Sequence, residues 1–295
     1  MNGVGPLAGP GTLVLVATPI GNLGDLSPRA RDALASADLV CCEDTRRTRG
    51  LLTHAGIRGR RLVSLHGHNE MARLEEVLSE LADGATVAVV SDAGTPAVSD
   101  PGARLVRAAV SAGAAVTTVP GPSAAVAALV VSGLPTDRFR FEGFLPRRGA
   151  ERRRRLEELA GADCTVVVFE APGRVAATLE ELSTACGPDR PVAVARELTK
   201  VHEEVWRGTV AVAAAEFGGR DVRGEVVVVV GAAPRAEGPV DDGDVARAVL
   251  ARLEAGDSLR DAADAVARTL GVQRRRAYET ALALRRGGAP PGPAP

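Results

Sequence analysis

Residues 196–203 (RELTKVHE) concentrate ionisable side chains directly after an apolar run that predicts a β-strand. These side chains include Glu197, Lys200, His202 and Glu203, and Lys200 is the only lysine of the chain. An ammonium group beside a carboxylate can hold a hydroxyl group and stabilise the negative charge that develops when it reacts. We therefore expect Lys200 and Glu197 to form a catalytic pair. The alternative is an ion pair at a strand end with little energetic weight.

Three loops rich in Gly and Pro follow other strand-like runs. They are residues 18–25 (TPIGNLGD), 91–102 (SDAGTPAVSDPG) and 120–124 (PGPSA). Small residues let the backbone approach a ligand closely, and Asp92 could accept hydrogen bonds from hydroxyl or ammonium groups. Alternatively, each loop is a tight turn between a strand and a helix, with Asp100-Pro101 and Ser123 as helix caps. The lack of GxGxxG and GxxxxGK[ST] spacing argues against a dinucleotide or nucleoside triphosphate ligand.

An alternation of strands and helices must position these loops. Short apolar runs at 13–17, 38–42, 61–65, 86–90 and 115–119 are separated by segments with helical spacing, such as 28–36 and 70–82. Continuous apolar strands connected by helices predict a mostly parallel, doubly wound α/β sheet. In such a sheet the ligand lies beyond the carboxyl ends of the strands, where the three loops are expected.

The pattern changes after residues 131–137, where strand-like runs follow one another more closely. This change predicts a second α/β domain with a mixed sheet. We expect a flexible N-terminus at 1–11, the two α/β domains at 12–131 and 132–234, and a third region at 235–295. That region would contain a linker, a small helical domain similar to a helix-turn-helix with a break at Gly271, and a disordered C-terminal end.

The composition narrows the classes of function. With a net charge of −1, the chain is no general binder of polyanions, and 2% aromatic residues argue against RNA binding by base stacking. The four cysteines, Cys41, Cys42, Cys164 and Cys186, form no CxxC motif and fit reduced thiols in a cytoplasmic protein. We expect no signal peptide and no membrane span. Cys41, Cys42, His66 and His68 lack metal-ligand spacing, so we expect no metal.

The three loops together resemble those of the tetrapyrrole-methylase class of methyltransferases. Four further strings are similar to one branch of that class, the cytidine 2′-O-methyltransferases of small-subunit ribosomal RNA. They are EDTR at 43–46, FEAP at 169–172 with Arg174, ARELTKVHE at 195–203 and RG at 207–208. The resemblance covers roughly residues 13–231, and the helical tail also fits. The small Ala171 and Gly173 around Pro172 are a mild departure from the pattern.

The resemblance implies S-adenosylmethionine as the cofactor, bound in a cleft between two α/β domains. Carried over by position, the residues that contact the cofactor would be Pro19, Asp92, Ala93, Gly94, Pro96, Val98, Ser123, Ala124 and Phe169. The implied target is the ribose 2′-hydroxyl of a cytidine in small-subunit (16S) RNA near the decoding centre. The implied partner is the small (30S) ribosomal subunit, and a homodimer is the implied assembly.

Polar residues at strand ends and in arginine clusters are candidates for RNA contacts. They are Glu43, Asp44, Arg46, Arg174, Arg274 and Arg275. Asp44 could instead cap a helix, and arginine clusters are commonly solvated surfaces. Two other functions remain open at this point. One is C-methylation of a tetrapyrrole or corrinoid small molecule, and the other is RNA binding without catalysis through the helical tail.

Overall fold

A computed structural model describes residues 11–66, 69–234 and 241–285. The chain divides into two compact units between Ala233 and Pro234. Several expectations concern residues outside the described ranges: the flexible N-terminus, most of the linker, His68 and the disordered C-terminal end. The expected fold class, two α/β sheets followed by a helical tail, is confirmed.

The first sheet contains five parallel strands in the order β3-β2-β4-β1-β5. Its strands are β1 (Thr12–Val16), β2 (Leu39–Cys42), β3 (Arg61–Ser64), β4 (Thr86–Val90) and β5 (Ala115–Val119). The alternating helices are α1 (Pro28–Ser36), α2 (Thr45–His54), α3 (Glu70–Ala82), α4 (Ala103–Ser111) and α5 (Ala124–Ser132). Separate apolar clusters cover the two faces of the sheet. Because all the strands are parallel, the three predicted loops emerge at one edge.

The second sheet is mixed and has the order β6-β7-β10-β8-β9. Its strands are β6 (Phe139–Phe144), β7 (Thr165–Glu170), β8 (Pro191–Arg196), β9 (Glu204–Thr209) and β10 (Val226–Val230). Only β6 and β7 pair in parallel among these strands. Its helices are α6 (Ala150–Ala160), α7 (Val175–Cys186) and α8 (Val210–Gly218). The central strand β10 consists of five buried valines, which pack well on both faces of a sheet.

Helix α5 joins the two sheets into one unit. Its buried side chains Ala125, Ala128 and Leu129 share an apolar cluster with Val167 of β7 and Val227 of β10. The loop that precedes α5 follows β5 of the first sheet. The carboxyl edge of the first sheet therefore faces residues of the second.

The C-terminal unit contains helices α9 (Asp242–Glu254), α10 (Leu259–Leu270) and α11 (Arg274–Arg285). Small aliphatic residues, among them Val245, Val266 and Ala277, form its core. The side chain of Ser258 caps α10, and Gly271 ends it with φ of 66°.

Of the two predicted helix caps, Asp100-Pro101 is wrong, because helix α4 starts after Gly102. Ser123 is the N-cap residue of α5 as predicted, but its side chain accepts no hydrogen bond from the helix. The cap of α4 comes from the buried Glu70 at the start of α3. Its Oε1 atom accepts the backbone N–H groups of Gly102, Arg104 and Leu105 at 3.2, 3.1 and 3.3 Å.

We expect Glu70→Ala to destabilise the protein by about 2–3 kcal/mol, because the change leaves buried N–H groups at the start of α4 without an acceptor. Urea denaturation measures this difference. Glu75→Ala on the exposed face of the same helix is the control and should change the free energy of unfolding by less than about 0.5 kcal/mol. Equal losses in both variants would contradict the capping role of Glu70.

Candidate active site

Two adjoining cavities lie at the carboxyl edge of the first sheet. The first, of about 450 Å³, is called here the Phe169 cavity, and the second, of about 440 Å³, the Lys200 cavity. Both have volumes typical of small-molecule sites. The walls of both include Ile20, Arg47, Asp92, Ala93 and Glu225. Ligands in the two cavities would therefore lie side by side.

Apolar side chains and tightly turned backbone form one part of the Phe169 cavity. The ring of Phe169 lies edge-on to those of Phe141 and Phe144, with centroid distances of 4.9 and 5.6 Å. On the first sheet, Thr18 and Gly94 exchange backbone hydrogen bonds of 2.9 and 3.1 Å that hold two loops together. The φ of 86° at Gly94 lies in the left-handed region that favours glycine.

Carboxylates line the other part of the Phe169 cavity. They belong to Glu43, Asp92, Asp100, Glu170 and Glu225, and Arg47 is the only cation among the described residues that line it. The negative charge of Glu170 is balanced by Arg174, with which its side chain pairs at 2.5 Å. Glu170 also accepts a hydrogen bond of 2.6 Å from the hydroxyl of Thr178. Asp92 and Glu225 also pair with cations, Arg47 and Lys200. The five carboxylates still outnumber these three cations, and an excess of negative charge suits a cationic ligand.

Burial shifts two of these carboxyl groups toward the protonated state. Burial raises the pKa of Glu43, and the nearby Asp92 raises it further. Burial, with added repulsion from Glu43 and Asp92, raises the pKa of Asp100 to about 6. Loss of hydration disfavours the charged form of a carboxyl group, and neighbouring negative charges have the same effect.

Asp92 lies where the two cavities meet. One carboxylate oxygen accepts the backbone N–H of Asp44 at 3.1 Å, and the other pairs with Arg47 Nη1 at 3.3 Å. Asp44 itself caps α2 by accepting the N–H of Arg46 at 2.7 Å. The start of α2 is therefore tied to Asp92 through both backbone and side chain.

The loop that follows β8 contributes Lys200 to the wall of the Lys200 cavity. Lys200 Nζ donates to Glu197 at 2.7 Å and to Glu225 at 3.0 Å. Although burial alone lowers the pKa of Lys200, these two carboxylates outweigh it and raise the pKa above its usual value. The hydrogen bond from Lys200 lowers the pKa of Glu197. Lys200 is thus a fixed cation at neutral pH.

The two α/β halves approach closely at this loop. Thr199 Oγ1 accepts the backbone N–H of Asn22 at 3.0 Å. A Cβ atom on Gly21 would lie 2.4 Å from Cγ of Lys200, so only glycine leaves room for this side chain. Glu197 and Thr199 have φ angles of 52° and 67°, a left-handed conformation that is strained for side-chain residues.

The structure brings most of the predicted cofactor residues together. Those that line the Phe169 cavity are Asp92, Ala93, Gly94, Val98, Ser123, Ala124 and Phe169. Pro19 lines the Lys200 cavity instead, whereas Pro96 is buried and lines neither. Of the predicted catalytic pair, Lys200 lines its cavity and Glu197 lies behind it.

The candidate RNA residues are scattered. Glu43 lines the Phe169 cavity, Asp44 caps α2 and the exposed Arg46 lines neither cavity. Arg174 pairs with Glu170. Arg274 and Arg275 lie on α11 in the C-terminal unit, where they pair with Asp264 and Glu279.

The sequence analysis did not assign three charged residues that line the Phe169 cavity to any site: Arg47, Asp100 and Glu225. Arg47 could have been found from its place in the first turn of α2, since this turn follows a strand at the ligand edge. No motif near Glu225 predicts its contact with Lys200.

Within the described ranges, no group of three or more His, Cys, Asp or Glu side chains is arranged to hold a metal ion. The same residues include no helix with the length and apolar character needed to cross a membrane.

The family model of the tetrapyrrole (corrin/porphyrin) methylases matches residues 12–214. Among solved structures, the uroporphyrin-III-C-methyltransferase from Thermus thermophilus is similar with a TM-score of 0.52 and 25% identity. The similarity covers 75% of this chain and 94% of that one. The chain belongs to the tetrapyrrole methylase family.

Two relatives are similar over nearly their full length. A protein of Xylella fastidiosa, named ribosomal RNA small subunit methyltransferase I, is 48% identical over 91% of this chain and 98% of its own. The protein of the same name from Mycobacterium tuberculosis is 49% identical over 94% of this chain and 96% of its own. The predicted resemblance to the tetrapyrrole methylases, and to this branch of them, is confirmed.

The raised pKa of Asp100 predicts how Asp100→Asn changes stability with pH. A carboxyl group with a raised pKa in the folded state destabilises the fold progressively as pH rises from about 4 to about 6. The Asn variant avoids this cost, so its stability relative to the parent should increase over that range and stay constant above it.

Thermal melting of both proteins at a series of pH values measures the difference. We expect a relative gain of roughly 1 kcal/mol above about pH 6.5, reduced by solvent screening of this partly exposed group. Asp32→Asn, at an exposed position of α1, is the control and should show no such trend. A pH-independent difference for Asp100→Asn would contradict the assignment.

Proposed function

We propose that the protein transfers a methyl group from S-adenosylmethionine to the ribose 2′-hydroxyl of a cytidine in small-subunit ribosomal RNA. The observation that carries this proposal is the pair of adjoining cavities, one electronegative and one with a fixed ammonium group. The names of the relatives support ribosomal RNA as the acceptor. A cytoplasmic location and the small ribosomal subunit as partner follow from this substrate.

The Phe169 cavity fits S-adenosylmethionine in size and charge. The cofactor carries a sulfonium and an ammonium group, and the cavity presents several carboxylates beside an apolar wall. We assign Asp92 to its polar groups, and Phe169, Val98 and Ala124 to its apolar parts. When bound, S-adenosylmethionine supplies an electrophilic methyl group attached to a sulfur that leaves readily.

The Lys200 cavity would hold the ribose. The ribose hydroxyl passes its proton to solvent water as its oxygen becomes the nucleophile, because Lys200 is already protonated. The oxygen gains negative charge in this step, and a fixed cation stabilises that charge without reorganisation during the reaction. The carboxylates of Glu197 and Glu225 hold the Lys200 ammonium in place and keep it protonated. Lys200 is therefore the catalytic residue of this proposal, and Glu197 positions it.

A homodimer would cover an apolar surface on α5. Val126 and Val130, one turn apart on this helix, are 48% and 63% exposed. Strand β5, which precedes α5, lies at the edge of its sheet and pairs with β1 alone among the described strands. Exposed apolar side chains and unpaired strand edges are both features of protein interfaces.

The methylation assay tests substrate and target atom together. Radiolabelled S-adenosylmethionine is incubated with small ribosomal subunits that lack the modification, and the RNA is digested to nucleosides. We expect the label in 2′-O-methylcytidine. Label in a base, or label only in an added tetrapyrrole such as uroporphyrinogen, would contradict the proposal and favour the other chemistry of the class.

Lys200→Ala tests the assignment of the catalytic cation. We expect kcat to fall by about 10²-fold, while the affinity for S-adenosylhomocysteine stays near that of the parent protein. Single-turnover methylation and calorimetry measure the two quantities. His202→Ala, an exposed position in the same loop, is the control and should retain activity. Loss of cofactor binding in Lys200→Ala would assign Lys200 to the cofactor site instead.

Val130→Glu tests the proposed dimer. A carboxylate on this surface would be desolvated in the dimer, so we expect a monomer in light scattering after size-exclusion chromatography. Met71→Glu on α3, where the parent residue is 62% exposed, is the matched control and should leave the dimer intact. A monomeric parent protein would refute the dimer.

A further inference from the structure

Arg47 lies between the two cavities but has no role in the reaction proposed above. It is the third residue of α2 and lines both cavities. Its side chain is 66% exposed and contacts the carboxylate of Asp92 through one nitrogen, at 3.3 Å. A guanidinium has five N–H donors in a planar fork, so this contact uses little of its binding capacity.

The two cations of the cavities are held differently. Lys200 lies between two carboxylates at 2.7 and 3.0 Å, and both keep it in place. Among the described residues, Arg47 makes one ion pair, of 3.3 Å on an exposed surface, which is worth at most about 1 kcal/mol. Glu43 adds a longer-range attraction. Arg47 is thus the cation that can exchange its partner at low cost.

Asp92 is the residue for which two partners compete. In the structure Arg47 pairs with the carboxylate oxygen that does not accept the N–H of Asp44. A cofactor with hydroxyl and ammonium groups in the Phe169 cavity would require the same carboxylate. A ligand that takes this oxygen weakens the ion pair and leaves the guanidinium without its partner beside the Lys200 cavity.

We propose that cofactor binding at Asp92 releases Arg47, which then binds a phosphate of the RNA acceptor at the mouth of the Lys200 cavity. Guanidinium groups bind phosphate through two parallel hydrogen bonds, a geometry that its present contact with Asp92 lacks. The cofactor and the RNA therefore bind cooperatively, and each increases the affinity for the other by the same factor. This inference rests on the proposed function and makes Arg47 a positioning residue.

The test compares Arg47→Ala with Arg49→Ala, an exposed position of the same helix that lines neither cavity. The affinity for unmodified small ribosomal subunits is measured with and without saturating S-adenosylhomocysteine. We expect about tenfold tighter binding with the ligand for the parent protein and for Arg49→Ala, and less than about twofold for Arg47→Ala. Arg47→Lys, which keeps the charge but loses the planar fork, should restore part of the coupling.

Two further measurements separate this role from a structural one. Calorimetry should show that Arg47→Ala binds S-adenosylhomocysteine at least as tightly as the parent, because a competitor for Asp92 has been removed. Steady-state kinetics should show a higher KM for the subunits with kcat at saturation close to that of the parent.

The inference would be overturned if S-adenosylhomocysteine tightened the binding of the subunits by the same factor in the parent and in Arg47→Ala. Weaker binding of S-adenosylhomocysteine by Arg47→Ala would overturn it too. A parent protein that methylates the RNA but shows no coupling would overturn it as well, with the proposed function intact. A parent protein that binds S-adenosylhomocysteine but methylates no RNA would refute the proposed function itself.

Discussion

The packing of α5 against the second sheet fixes the position of both cavities. The buried face of this helix belongs to the core beneath β7 and β10, while the loop before it ends a strand of the first sheet. Without this contact, the loops of each sheet would lie at a solvent-exposed edge. Because the apolar contact holds the two sheets together, the 91–102 loop faces Phe169 and the 18–25 loop faces Lys200. The site thus depends on hydrophobic burial in a region that itself carries no reactive group.

The same packing supports features that would be unfavourable on their own. Carboxyl groups at Glu43 and Asp100 are partly buried near Asp92, and each has a raised pKa. Ala97, Ser99, Glu197 and Thr199 have positive φ angles in the loops around the cavities. Each such conformation costs about 1–3 kcal/mol and persists because the surrounding structure holds it. Both kinds of cost are found around the cavities. A cationic ligand bound there would offset the cost of burying the carboxyl groups.

The sequence predicts the strands and the first-sheet loops well because both depend on local pattern. Parallel strands that are buried on both faces appear in the sequence as continuous apolar runs. Once these strands are predicted, the loops that follow their carboxyl ends are predicted as well. Contacts between distant segments were not predictable in this way. Glu70 caps a helix that begins more than thirty residues later along the chain, and Glu225 reaches Lys200 from the start of another strand. The sequence pattern does not distinguish Arg46 from Arg47, because the two neighbouring arginines differ only in the direction in which their side chains leave the helix.

In the proposed reaction, the arrangement of charge in the cavities would divide two tasks that a methyltransferase must combine. A cation that stabilises a developing alkoxide must not move, and the two carboxylates around Lys200 meet this requirement. A cation that binds a large polyanion must be able to leave its resting partner, and the single ion pair of Arg47 allows this. Exchanging the two residues would satisfy neither requirement, because an ammonium lacks the fork for phosphate and an exposed arginine lacks fixed support. The number of carboxylates around each cation, rather than the charge itself, is therefore what would separate catalysis from acceptor binding in the proposed reaction.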